Sequence, residues 1–309
     1  GNYYMLMWTW SNNISETLSI PIYVTLTTLV SAALSLPLEL YENFVIEDLH
    51  GFNKYTLQFF LVDKVKKLVL SIAIVSPISM GIAWVIDNGG DNFFLYLWVF
   101  LSVLIFAMLT IYPAFIAPLF ETYIPLPDGE LKTEIEKLAA SVDYPLKKLF
   151  VVDGSNRSSH SNAYMYGFWK NKRIVLYDTL LQGEEKKKVA EAMGRDMSEY
   201  KEDGKGMKTT EVVAVLGHEL GHWAEYHTVV QLLIAEASIF FALFAFSKCH
   251  NSMEISQAFG FDSLMPSFVS LTLVLQYVMG VYSQALELFQ VAVTRRLEFS
   301  ADAYAARHG

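Results

Sequence analysis

His218 and His222 stand four residues apart, with Glu219 directly after the first. Val212, Val215, Leu216, Leu220 and Trp223 recur around them at helical spacing, so Glu211 to Trp223 is expected as a helix carrying both imidazoles on one face. Two imidazoles side by side are two of the three protein ligands that a catalytic zinc needs. A glutamate next to the first ligand reaches a water on the metal rather than the metal itself. The chemistry this spacing suits is metal-assisted hydrolysis. A solvated helix with two surface histidines fits poorly, because the apolar flanks would bury Glu219 without a partner.

The third ligand is open among His160, His227, Glu236, Glu287 and Glu298. His227 follows His222 by five residues, which on one continuous helix is the wrong face. Glu298 and Asp302 share a face of an expected helix, pairing a carboxylate ligand with a carboxylate that can accept an N–H from a ligating imidazole. A solvated helix face, with Arg295 and Arg296 as membrane-end anchors, is the plain alternative.

Elements must hold these residues in place, and composition says what kind. The 309 residues are 53% hydrophobic and 18% charged, with a mean hydropathy of +0.31. Soluble domains carry about 25% charged residues. Uncharged or nearly uncharged runs at 20–38, 68–86, 93–117, 229–247 and 264–286 are each long enough to cross a ~30 Å hydrocarbon core as a helix. The net charge of −9 gives no reason to expect nucleic acid. A single cysteine, Cys249, excludes a disulfide within the chain. No signal-peptide pattern is visible after Gly1.

Lys and Arg alternate between loops: none in 1–17, four from Lys54 to Lys67, none in 87–92, many in 119–228, none in 249–263, then Arg295 and Arg296. The basic loops are expected on the cytosolic side, with the His218 helix and Glu298 among them. Asn13 heads a sequon on the opposite side; the sequon at Asn156 should stay bare. Glu236, inside a span, either makes a helix–helix hydrogen bond or lines a wet cavity.

The expected organisation is transmembrane helices over 1–117, a cytosolic segment over 118–228, transmembrane helices over 229–294, and a ligand helix over 295–309. Within the cytosolic segment, Leu131, Ile135, Leu138 and Ala139 mark an amphipathic helix over 129–142. Strands are expected at 149–153, 163–169 and 173–178, the last two as a hairpin across 170–172. The stretch 183–208, with seven acidic and seven basic residues, is expected as a mobile loop, and 211–227 as the zinc-binding helix.

Several stretches together resemble one family. They are His218 to His222 preceded by Ala214 to Gly217, and Glu298 to Ala305 with Asp302. To these add Asn43 to Asn53, Ile116 to Phe120, Ser158 to Tyr164 and Lys170 to Leu176. These look like the eukaryotic type I CAAX prenyl protease, a multi-pass zinc metalloprotease of the gluzincin type, over nearly the whole chain from about Leu36 onward. The resemblance implies a mainly α fold: a transmembrane helical barrel enclosing a chamber, with a cytosolic-side metalloprotease domain containing a small β-sheet. It implies one zinc per chain on His218, His222 and Glu298, Glu219 as general base, and Asp302 behind the ligands. It implies substrate contacts at His160, Asn162 and Ala163. The implied substrates are prenylated CAAX proteins or peptides, losing their last three residues. The implied location is the endoplasmic reticulum membrane, with the inner nuclear membrane as a further site and membrane lipids as neighbours.

The family has seven spans and a further cytosolic segment carrying a histidine. Five spans are counted here, so by that pattern the sequence looks truncated at both ends. Two rival readings follow: a membrane quality-control metalloprotease of broad specificity, and a truncated, inactive membrane scaffold.

Overall fold

A computed structural model describes residues 16–158, 160, 162–167, 172–195 and 206–308. In chain order it holds helices α1 (Glu16–Tyr41), α2 (Leu57–Asn88) and α3 (Phe93–Ile111), then strand β1 (Tyr123–Pro125), helix α4 (Glu130–Ser141) and strands β2 (Leu146–Val152), β3 (Ala163–Tyr166) and β4 (Lys172–Tyr177). Helices α5 (Gly183–Ala192), α6 (Thr209–Ala224), α7 (His227–Cys249), α8 (Met253–Ala258), α9 (Ser267–Leu273) and α10 (Gly280–His308) complete it. The described residues are mainly α with one small sheet, as expected.

The residues group into two units. The first contains residues 1–41, 57–106 and 232–291. Among the described residues, four helical stretches are long and apolar enough to cross a membrane: Ser19–Leu49, Leu57–Asn88, Gly90–Leu119 and His227–Cys249. Their apolar side chains are largely exposed; Trp84, Val103 and Leu233 are each more than 60% accessible. Water would penalise such surfaces and hydrocarbon does not. Within this unit Phe93, Leu97, Leu243, Phe246, Leu271 and Val274 pack one core, and Tyr23, Val24, Met265, Val269 and Leu273 another.

The span expected at 264–286 is not one straight helix. Ser267–Val278 and Gly280–His308 meet at 64°. A π-helical turn over Val274–Val278 ends at Met279, whose N–H bonds Val274 O at 2.9 Å, and Gly280 follows. The wider turn interrupts the helical ladder and allows the bend. Lys64 and Lys67, read as loop residues, lie in the early turns of α2, Lys67 pairing with Asp63 at 2.8 Å. Glu236 accepts a 2.5 Å hydrogen bond from Ser102 on α3, so it does join two helices. Its other oxygen, Oε1, has no partner among the described residues.

The second unit contains residues 42–56, 107–231 and 292–309. Its sheet runs β1-β2-β4-β3. β1 pairs antiparallel with β2, β2 parallel with β4 (Phe150 opposite Val175), and β3 antiparallel with β4 (Tyr164 opposite Val175). The last pairing is the hairpin read from the sequence, although residues 168–171 of its turn lie outside the described residues. Leu131, Ile135, Leu138 and Ala139 of α4 bury the expected face against Val151, Ile174 and Leu176 of the sheet. Val212, Leu216 and Leu220 of α6 enter the same core. α6 is thereby fixed by its apolar face, and its histidine face is left outward.

The charged stretch 183–208 departs from the loop expected of it. Gly183–Ala192 is helical, and Val189 and Ala190 are buried. Arg195 binds Asp153 Oδ1 at 2.5 Å and the buried Asp178 Oδ2 at 2.6 Å. Two small apolar residues and one guanidinium dock the segment, a signal that a net count of charges hides. Residues 196–205 lie outside the described residues.

Candidate metal centre

α6 begins with Glu211 capping the Lys208 N–H at 2.8 Å. Two turns on, His218 and His222 project from the face opposite Leu216 and Leu220. α10 brings Glu298 and Asp302 to them. Gly221 makes this approach possible, while Gly217 only borders it. A Cβ at Gly221 would lie 3.1 Å from the Cα and O of Ala301 and from Tyr304 Cβ; one at Gly217 would meet Ala305 Cβ at 3.8 Å. The helices touch through small residues, so His218, His222, Glu298 and Asp302 converge.

Three donor atoms form a compact triangle. His218 Nε2 lies 3.1 Å from His222 Nε2, 3.3 Å from Glu298 Oε2 on one side, and His222 Nε2 is 3.5 Å from that oxygen. Ligand bonds of ~2.0–2.2 Å in a tetrahedron require ligand–ligand edges of about 3.3–3.5 Å. The two nitrogens and one carboxylate oxygen therefore fit one face of a tetrahedron around a zinc-sized cation, with the fourth corner left for water or substrate. Among the described residues this is the group able to hold a metal.

Asp302 Oδ1 lies 2.8 Å from His218 Nδ1, so the carboxylate accepts the Nδ1 proton and leaves Nε2 with a free lone pair. Burial lowers the His222 pKa, with Glu298 opposing and His218 and His227 adding to the fall. That direction favours the neutral ring, the form that ligates. Burial raises the Glu219 carboxyl above its ordinary range; His218 pulls it down and Glu298 pushes it further up.

Of the other candidates, His160 stands apart from the triangle. Its ring stacks on Phe52 at 4.5 Å and its Nε2 lies 3.0 Å from Glu47 Oε2. Asn162 bonds its own strand: its carbonyl accepts from Tyr177 N at 2.9 Å and its Oδ1 from Ala163 N at 2.8 Å. Ala163 opens β3, the end strand of the sheet among the described residues, and β3 packs beside α6. Glu236 and Glu287 belong to the other unit.

The reading of His227 needs correcting. It does not continue the helix of His222. α6 ends at Ala224, Tyr226 adopts φ 58°, and His227 starts α7. The turn carries its Nδ1 back to 2.8 Å from His222 Nδ1. Sequence spacing missed this because helical geometry was extended across a break that no proline or glycine announces.

Comparison with known proteins follows this geometry. A family model described as CAAX prenyl protease N-terminal, five membrane helices, matches residues 1–122, and that of peptidase family M48 matches residues 125–309. A CAAX prenyl protease 1 homolog of Caenorhabditis elegans is 49% identical over 313 residues, covering 100% of this chain and 70% of the relative. The Homo sapiens homolog is 43% identical over 302 residues, covering 93% of this chain and 64% of the relative. The crystal structure of S. mikatae Ste24p superposes with a TM-score of 0.85 at 31% identity, covering 99% of this chain and 71% of that one.

Proposed function

Because this chain belongs to peptidase family M48 and carries the N-terminal membrane helices of the CAAX prenyl proteases, we propose that it is a zinc-dependent endopeptidase that removes the C-terminal tripeptide of prenylated CAAX proteins. The carrying observation is the triangle of His218 Nε2, His222 Nε2 and Glu298 Oε2, with edges of 3.1 to 3.5 Å. The matches to the family across both the membrane helices and the peptidase segment support this substrate class. The helical chamber, the endoplasmic reticulum membrane and a cytosolic metal site are part of the same proposal, supported by the relatives and by the loop charges.

When bound, zinc supplies an acidified water and a Lewis acid for the scissile carbonyl. The remaining work belongs to the chain. His218, His222 and Glu298 would hold the ion. Asp302 keeps His218 in the tautomer that presents Nε2. Glu219, half-buried and raised in pKa, accepts the water proton and hands it to the leaving amine. The strand β3, at the end of the sheet beside α6, offers main-chain groups along which a peptide can lie extended. His160, Asn162 and Ala163 stand at its start.

The test is cleavage of a farnesylated CAAX peptide by the purified chain in detergent, beside Glu219→Ala and an unprenylated peptide. Release of the tripeptide by the parent alone, from the prenylated peptide alone, is expected. Equal cutting of both peptides would replace the substrate class with a broad-specificity membrane protease. Absence of cleavage with about one zinc per chain bound would show an assembled site that does not turn over.

A further inference from the structure

His227 and Glu225 have no role in the mechanism above, yet they stand directly behind a proposed ligand. We propose that they form a hydrogen-bond relay that orients His222, making His227 a positioning residue for the metal. This inference rests on the metalloprotease reading and deepens it.

On a continuous helix His227 would point about 140° away from His222. The left-handed turn at Tyr226 reverses that and packs the two rings edge to face at 4.9 Å between centroids. His227 is 4% exposed, so its polar atoms must be satisfied inside the protein. Its Nδ1 lies 2.8 Å from His222 Nδ1, and its Nε2 lies 3.2 Å from Glu225 Oε2.

One assignment of protons satisfies the contacts behind His222. To offer Nε2 to a cation, His222 must carry its proton on Nδ1 and donate it. His227 Nδ1 must then be the acceptor, so the His227 proton sits on Nε2 and is donated to the Glu225 carboxylate. That carboxylate also accepts from Ser300 Oγ, and its Oε1 faces Arg307 at 3.9 Å. Ser300 and Arg307 lie on α10, as do Glu298 and Asp302.

The two proposed histidine ligands are thus braced by different means, both tied to α10. Asp302 holds His218 directly. Glu225 and His227 hold His222 through one intervening ring, with Ser300 tying Glu225 to α10 two residues after Glu298. Orienting partners of this kind change metal affinity by about 10- to 100-fold when removed.

The experiment measures zinc affinity of the purified chain by chelator competition, and the visible spectrum of the Co²⁺-loaded protein, for the parent, His227→Ala and His227→Asn. The alanine variant is expected to bind zinc about 10- to 100-fold more weakly and to show an altered Co²⁺ spectrum. Asparagine can place its Oδ1 where Nδ1 was, so it should restore affinity to within about threefold of the parent. Unchanged affinity in His227→Ala would overturn the relay. So would an asparagine variant that folds yet is as weak as the alanine one. If His227→Ala does not fold, Glu225→Ala decides: a loss of at least about threefold supports the relay, and no loss overturns it. A parent without metal would overturn the metalloprotease reading itself, and the relay with it.

Discussion

Substituting Gly221 by alanine should separate metal binding from folding. The new Cβ would lie 3.1 Å from Ala301 Cα, Ala301 O and Tyr304 Cβ. Carbon atoms rest at ~3.5–4.0 Å, so α10 must retreat by roughly half an ångström. Glu298 sits one turn before Ala301 on that helix, and its Oε2 is 3.3 and 3.5 Å from the two imidazole nitrogens. The retreat stretches those edges towards ~4 Å, beyond what bonds of ~2.0–2.2 Å can close. Overpacking of this size costs about 1–3 kcal/mol. The metal-free protein escapes it by letting α10 move, while the metal-bound protein cannot. Zinc affinity should therefore fall roughly 5- to 150-fold. Thermal stability without metal should change little, because replacing a helical glycine by alanine returns up to ~1 kcal/mol. Gly217→Ala is the matched control: its Cβ would meet Ala305 at 3.8 Å, an ordinary contact. Chelator competition reads the affinity and a thermal scan of chelator-treated protein reads the fold. Gly221→Ala binding zinc as tightly as the parent, or Gly217→Ala weakening it equally, would refute the close-approach reasoning.

Three further outcomes are expected. Glu219→Gln should retain zinc at parental affinity but lose cleavage of a farnesylated CAAX peptide by about 10²-fold or more, since it removes the proton acceptor and no ligand. In chelator-treated protein, burial raises the Glu219 pKa, so this carboxyl takes up its proton at a higher pH than a free glutamate as pH falls. A difference titration of the parent against Glu219→Gln would show that uptake above about pH 4.3; uptake at or below it contradicts the burial account. Arg195→Ala strips Asp153 and the buried Asp178 of their charged partner at 2.5 and 2.6 Å. It should lower stability by ~1–3 kcal/mol in denaturant unfolding, with zinc affinity unchanged.

Much of the site is legible as spacing. His218, Glu219 and His222 share one helix, where the relation of residues is set by a local period. Glu298 and Asp302 are a second pair at the same period, and α10 does present both to His218. What spacing left open was which of five candidates closes the triangle. That depends on a contact 76 residues further along the chain (298 − 222 = 76), and no period reports it. Gly217 and Gly221 were present as a hint, being small residues four apart on the helix, but their meaning appears only when Ala301 and Ala305 are seen beneath them. The α5 helix went unread because two small apolar residues among many charges give a weak period, while Arg195 acts through partners 17 and 42 residues away.

The amino-acid sequence alone determined the apolar spans, the amphipathic face of α4, the β3–β4 hairpin and the two local halves of the candidate metal group, because each is a local pattern of hydrophobicity or side-chain period. The tertiary structure decided the parallel pairing of β2 with β4, the bend before Gly280, the distance between α6 and α10, and the return of His227 behind His222. Each of these depends on a break in a local period or on the packing of residues remote in sequence, and the free energy that settles them exists only once both partners are in place.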